Sequence, residues 1–277
     1  MTGTIGVDHL VILVRDLEAA RATYERLGFH PAPLGRHSDH LGTGNHCVML
    51  PAGDYFEVLS VLNPTPANEV WRRMLDDREG LHLVVMRSAD VAADCRRLAD
   101  AGFTPEPPLA FSRPVRRSDG GSAEAAFVVS RLPAGQTGGV AVMICQHDTP
   151  ELVWLPELMD HANGARGLAA LHVVHPDPEA AVPVFEVLCG KDAVSRDGGR
   201  VTVRTATIPI TFAPARTGEP AGPAPFAMAV RVADPDAVAA RLARDGIPHR
   251  VEDGAVHVRP DHTHGVALAF VAQTAAP

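Results

Sequence analysis

A chain of 277 residues is long enough for two medium-sized domains with substantial cores. Its 46% hydrophobic and 21% charged residues are globular proportions, and a net charge of −8 argues against nucleic acid or an anionic membrane as partner, because phosphate recognition needs clustered Lys and Arg. No apolar run approaches the roughly 20 residues of a membrane helix, MTGTIGVDHL lacks the features of a signal peptide, and the four cysteines form no CxxC pair, so a reducing cytoplasm is the expected location.

In chain order, one pattern recurs four times: an apolar strand, an Asp, an Ala-rich amphipathic helix and a Gly. VDHLVILVRD leads into LEAARATYERLGF, LHLVVMRSAD into VAADCRRLADAGF, LAALHVVHPD into PEAAVPVFEVLCG, and FAMAVRVAD into PDAVAARLARDGI. The spacings Asp16 to Gly28, Asp90 to Gly102, Asp177 to Gly190 and Asp234 to Gly246 are 12, 12, 13 and 12 residues. Each Asp stands where an N-cap accepts the first open helical N–H groups, and each Gly where a left-handed residue ends the helix.

Short β-rich runs follow each helix. They are expected at 29–35, 44–50 and 54–62, then within 104–146 around a Gly/Ser/Arg insertion near 112–123, then near 192–213, and finally at 248–251, 254–259 and 265–272. The basic run Arg113–Arg117 reads as a solvated loop. Linkers are expected at 63–79, which contains the helix ANEVWRRMLDD, at 148–167 and at 214–224.

One strand, one helix and three strands form a sheet too small to stand alone, and paired βαβββ units of this kind resemble the vicinal-oxygen-chelate superfamily. The first copy carries the specific features: Asp8-His9-Leu10 on the first strand, then His40-Leu41-Gly42-Thr43-Gly44-Asn45, then Gly53-Asp54-Tyr55-Phe56-Glu57. This series resembles glyoxalase-like proteins strongly over residues 7–62, and the whole chain more weakly through the repeat. The resemblance implies an α+β fold of four modules in two paired-module domains, 1–150 and 151–277. It also implies a divalent metal held by first-strand and last-strand residues, which fall on His9 and Glu57. The matching positions are Leu83 and Met143, Ala170 and Thr211, and Ala227 and Ala269 in the later copies, so the C-terminal pair reads as degenerate.

A metal that polarises a substrate oxygen needs about three protein ligands and an open position; Fe, Mn, Zn and Ni all suit His and carboxylate donors. Alternation places Met143, Cys145 and His147 on one strand face, and Met143 matches Glu57, so His147 is the expected third ligand. His82 is the rival, matching Asp8 and turned from the face of His9 unless a bulge intervenes. Glu57 interrupts the apolar strand YFEVLSVL, where an unpaired buried carboxylate is costly, which supports it as a ligand; it could also shuttle the proton and is the expected catalytic carboxylate. His40, Asn45 and His46 are expected to bind substrate. The expected activity is that of a metal-dependent lyase or isomerase acting on a small oxygenated molecule, in a chain that could form a homodimer. An extradiol-type dioxygenase and a metal-free protein that sequesters a small molecule are the alternatives.

Overall fold

The Asp-to-Gly spacing resolves into caps. Asp16 accepts from the Ala19 N–H at 2.9 Å, Asp90 from Ala93 at 2.9 Å, Asp177 from Glu179 at 3.2 Å, and Asp234 from Asp236 at 2.9 Å and Ala237 at 3.2 Å. Beyond the helices, Gly28, Gly102, Gly190 and Gly246 have φ of +88°, +90°, +94° and +67°, a region in which a side chain would be strained.

The computed structural model describes residues 6–116 and 120–273. The first module comprises β1 (Gly6–Leu13), α1 (Leu17–Arg26), β2 (Gly35–Arg36), β3 (Thr43–Met49) and β4 (Tyr55–Val61). After the linker helix α2 (Glu69–Asp77) come β5 (Gly80–Arg87), α3 (Val91–Asp100), β6 (Leu109–Arg116), β7 (Ser122–Leu132) and β8 (Ala141–His147). The third module is β9 (Ala165–Val174), α4 (Val182–Cys189), β10 (Val194–Asp197), β11 (Arg200–Arg204) and β12 (Pro209–Ala213). The fourth is β13 (Ala224–Val232), α5 (Pro235–Arg244), β14 (Arg250–Glu252), β15 (Ala255–Val258) and β16 (Ala267–Ala272).

The fold is α+β, with two eight-stranded sheets ordered β2-β3-β4-β1-β5-β8-β7-β6 and β10-β11-β12-β9-β13-β16-β15-β14. The two orders are the same pattern repeated, with the opening strands of paired modules as central neighbours. Registers preserve the repeat as well. Val85 pairs with Met143, His172 with Thr211 and Ala229 with Ala269, always two residues past the position matching His9 and at the position matching Glu57. In these three modules the two positions therefore share a sheet face.

Two expectations change. The residues on either side of 117–121 are strand: Leu109–Arg116 pairs antiparallel with Ser122–Leu132, from Leu109 opposite Val129 to Arg116 opposite Ser122. Arg113 is consequently a strand residue, its guanidinium 5.8 Å from the Phe127 ring centroid; Arg117 lies outside the described residues. The third module's helix opens as a 3-10 turn over Pro178–Ala181 and turns α-helical at Val182, with Pro183 in the first turn of α4.

By backbone proximity the chain groups into two compact units. One holds the chain to Leu10 with His82–Leu152 and Ala170–Phe226; the other holds Val11–Leu81, Val153–Ala169 and Ala227 onward. In the first unit Phe185 packs on Phe212 with ring centroids 5.4 Å apart, and Arg97 donates to the Val187 carbonyl. In the second, Phe29 lies 5.1 Å from Phe56 and 5.7 Å from Phe270, and the fully buried Tyr24 lies 5.3 Å from Phe56. With so few aromatic residues, these clusters supply large buried areas at a few points and leave the rest to Val, Leu and Ile.

Candidate metal centre

All of β1 is buried, yet it carries a carboxylate, Asp8, with no solvent exposure. An ion there must be compensated. Asp8 Oδ1 accepts from Arg87 Nε at 2.7 Å, and Oδ2 accepts from both His147 Nε2 and His9 Nδ1 at 2.8 Å. Burial alone would raise the Asp8 pKa, but the hydrogen bonds from His147 and His9 outweigh it and hold the carboxyl well below the ordinary carboxylate range. An ionised Asp8 can only accept, which fixes the proton of His9 on Nδ1 and one proton of His147 on Nε2.

Neighbouring strands complete the centre. Arg87 ends β5 directly opposite Cys145 of β8, and Phe127 of β7 stands opposite His147. Cys145 Sγ lies 3.8 Å from His147 Nε2. Ligand-capable atoms of Asp8, Cys145 and His147 all lie within 4.8 Å of one another. Carboxylate, imidazole and thiolate form a donor set that suits zinc or iron. A divalent ion would take the place of the proton shared by Asp8 Oδ2 and His147 Nε2, whose 2.8 Å separation is close to the roughly 3 Å between two ligand atoms that each sit about 2.0–2.1 Å from one ion. These three residues fit a divalent metal.

Of the residues singled out from sequence, His9 and His147 thus meet on Asp8. His82 is buried on β5. Glu57 belongs to the other compact unit, where it is buried and its Oε1 accepts from Asn45 Nδ2 at 2.5 Å. The same amide reaches His37 Nε2 at 3.4 Å, and His37 Nδ1 contacts Thr43 Oγ1 at 2.7 Å, so a polar string runs from Thr43 to Glu57. His46 takes the opposite face of β3, with Nδ1 donating to the Ala32 carbonyl at 2.7 Å and Nε2 3.4 Å from Glu18. His40 sits exposed in a turn at 39–41.

The glycine of that turn has a backbone explanation. At Gly42, φ +62°, an added Cβ would lie 2.3 Å from the Asn63 carbonyl, and Asn68 Nδ2 donates at 2.8 Å to both the Leu41 and Asn63 carbonyls. The close approach is to the chain itself.

Asp8, Arg87 and Cys145 were not among the sequence candidates. Asp8 interrupts an apolar strand just as Glu57 does, and that signal could have found it. Cys145 was placed on the His147 face, but nothing in the sequence brings Asp8 to it. Among the described residues the cysteines form no disulfide; Cys47 and Cys145 are buried, Cys95 and Cys189 half-buried.

No described helix is long and apolar enough to cross a membrane. No curated protein matches the sequence. Among solved structures, a hypothetical protein from Staphylococcus aureus is similar at 10% identity over 96% of this chain and 99% of its own, with a TM-score of 0.73. The Mn(II)-bound glyoxalase from Novosphingobium aromaticivorans is similar at 13% identity over 98% and 82%, with a TM-score of 0.56. A catechol 2,3-dioxygenase is similar at 12% identity over 100% and 91%, with a TM-score of 0.61. At such identities the likeness concerns the fold. The sequence model of the glyoxalase-like domain matches residues 7–189, well over half of the 277. Four βαβββ modules, two repeated sheets and that match together establish that the chain belongs to the glyoxalase-like domain family of the vicinal-oxygen-chelate superfamily.

Proposed function

We propose that this protein is a divalent-metal-dependent enzyme of glyoxalase type, a lyase or isomerase for a small oxygenated substrate, with Asp8, Cys145 and His147 as its metal-holding residues. The observation that carries the reading is the convergence of those three ligand atoms within 4.8 Å in a buried setting. A bound divalent ion would polarise a substrate oxygen and favour an enolate-like charge. His9 and Arg87 orient the Asp8 carboxylate by donating to it, a supporting role that commonly sets metal affinity. Glu57 lies in the other compact unit, where Asn45 holds its carboxylate. The similar fold of the Mn(II)-bound Novosphingobium glyoxalase agrees with this reading.

A second reading, a metal-free binding protein, has one observation in its favour. Both Asp8 oxygens already accept hydrogen bonds, and the Arg87 guanidinium compensates the charge.

Elemental analysis of protein purified without chelator separates the two. Near-stoichiometric metal is expected, and His147→Ala and Cys145→Ser should each lower occupancy by about tenfold or more. Occupancy below about 0.2 per chain after incubation with Fe(II), Mn(II), Zn(II) or Ni(II) would favour the metal-free protein over any coordination site built on the ligand geometry above. Oxygen uptake with catechols would redirect the assignment to an extradiol-type dioxygenase.

A further inference from the structure

A cleft of about 740 Å³ opens between the C-terminal half of α1, Glu79 ahead of β5, the turn after α5 and the turn between β15 and β16, and all of its lining residues belong to the second compact unit. That volume suits a small organic ligand. Three of its side chains are joined in a string. Thr23 Oγ1 lies 3.1 Å from His264 Nε2, and His264 Nδ1 lies 3.2 Å from Glu79 Oε2. Glu79 is anchored in turn, its Oε1 accepting from the Arg15 N–H at 2.7 Å. A carboxylate only accepts, so His264 carries a proton on Nδ1; in the neutral ring Nε2 is then an acceptor, and the Thr23 hydroxyl is its donor. The Ala19 carbonyl, 3.0 Å from Thr23 Oγ1, takes the hydroxyl proton whenever the imidazole is protonated.

The backbone is shaped to hold the string. His264 has φ +52°, a left-handed conformation that a residue with a side chain enters at a cost, and Gly265 follows at +82°. A Cβ at Gly265 would run into the Glu79 carbonyl, so glycine lets the two segments pass closely enough to set His264 beside Glu79. The string is not sealed: the side chains of His264 and Glu79 are 19% and 22% exposed, and Thr23 is half-buried. Arg26, one helical turn after Thr23, lines the same cleft and offers positive charge to a developing oxyanion, while Leu27, Ile247 and Pro248 supply apolar wall for a short hydrocarbon chain.

A hydroxyl, an imidazole able to take its proton and a carboxylate that fixes the imidazole's tautomer are the parts of nucleophilic acyl transfer. We propose that this cleft is a second active site, independent of the metal centre, that hydrolyses small carboxylic esters, with Thr23 as nucleophile, His264 as general base and Glu79 as a positioning residue. Thr23 Oγ1 bonds to the acyl carbon as His264 Nε2 takes its proton. The ester C–O bond breaks, and the imidazolium returns that proton to the leaving oxygen. Water then attacks the acylated threonine with His264 again as base, releasing the carboxylic acid and restoring the hydroxyl.

The test uses the full-length protein and p-nitrophenyl acetate. Nitrophenolate release should open with a stoichiometric burst, and digestion of the quenched protein should locate the acetyl group on Thr23. Thr23→Val, which keeps the shape and removes the hydroxyl, and His264→Gln should each lower kcat/KM by about 100-fold. Thr23→Ser should keep the burst, with the acetyl group at position 23. Glu79→Gln should lower kcat by about tenfold or more at unchanged KM. His30→Gln, which removes an exposed imidazole outside the cleft, should leave the rate unchanged, as should a chelator. Acetyl groups found only on other side chains, the absence of a burst, or wild-type kcat/KM in a Thr23→Val protein with native circular dichroism each overturn the proposal. Hydrolysis lost on chelation moves the activity to the metal centre and overturns it as well.

Discussion

At the scale of single residues, Asp8 decides most. It is a buried carboxylate whose pKa is held down by hydrogen bonds from His147 and His9 against the opposing effect of burial. Because its folded pKa lies below the unfolded value near 3.9, the unfolded chain binds the proton more readily in acid. Its contribution to stability is therefore complete above about pH 5 and is lost progressively as the pH falls below about 4. Asp8→Asn should cost about 3–5 kcal/mol at neutral pH by removing the buried charge that accepts from Arg87, His147 and His9, and should flatten the acid limb of a stability–pH curve measured by urea unfolding. An acid limb identical in wild type and variant would show that other carboxylates carry it. Asp8 also marks the limit of reading residues from sequence. The strand period placed Asp8 and His9 on opposite faces and His147 on a face of its own module. The period says nothing of how far an imidazole can fold back to its own neighbour, and that is how His9 reaches Asp8.

Elements were far more legible, because each helix is bounded by two independent physical requirements. An oxygen must meet the first N–H groups and a positive φ must end the last turn, and the sequence supplies Asp and Gly at nearly constant separation to do both. Asp90→Ala and Asp234→Ala should each cost about 1 kcal/mol in chemical denaturation, the usual loss of a cap. Less legible was the hairpin of β6 and β7: Gly, Ser and Arg near 112–123 suggest a loop by composition, while cross-strand pairing down the length of the hairpin overrides weak local preference. The connecting segment behaves as an element as well. His161 accepts from the His30 N–H at Nδ1, 3.0 Å, and donates from Nε2 to the Met49 carbonyl, 2.8 Å, while Trp154 packs edge-on against Tyr55 at 5.8 Å. Both ring nitrogens of His161 are matched only in the neutral form, and burial lowers its pKa. The unfolded chain then binds the proton more readily, so this contribution is present above about pH 6.5 and declines as the pH falls below it. Replacing His161 by Gln should flatten the melting temperature between about pH 5 and 7, relative to a wild type that loses stability there.

For the whole molecule, the sequence gives the number of modules but not their company. The sheets join neighbours along the chain, first with second and third with fourth. Compactness groups the first module with the fourth and the second with the third. Each compact unit thus draws on both halves of the chain. Expressed separately, segments 1–150 and 151–277 should show collapsed near-UV circular dichroism and poor amide dispersion, and mixing or co-expression should restore both signals. Native-like spectra from the isolated 1–150 segment would establish the N-terminal half as an autonomous domain. The graded burial of the four thiols has a consequence for measuring such openings. A small maleimide should tag Cys95 first. Cys189 should lag at neutral pH, because burial pushes its pKa up to about 11 and little thiolate is present. Cys47 and Cys145 should react only when their strands come apart, so residue-resolved alkylation kinetics would time the breathing of the first and second modules separately in the unmodified wild-type chain.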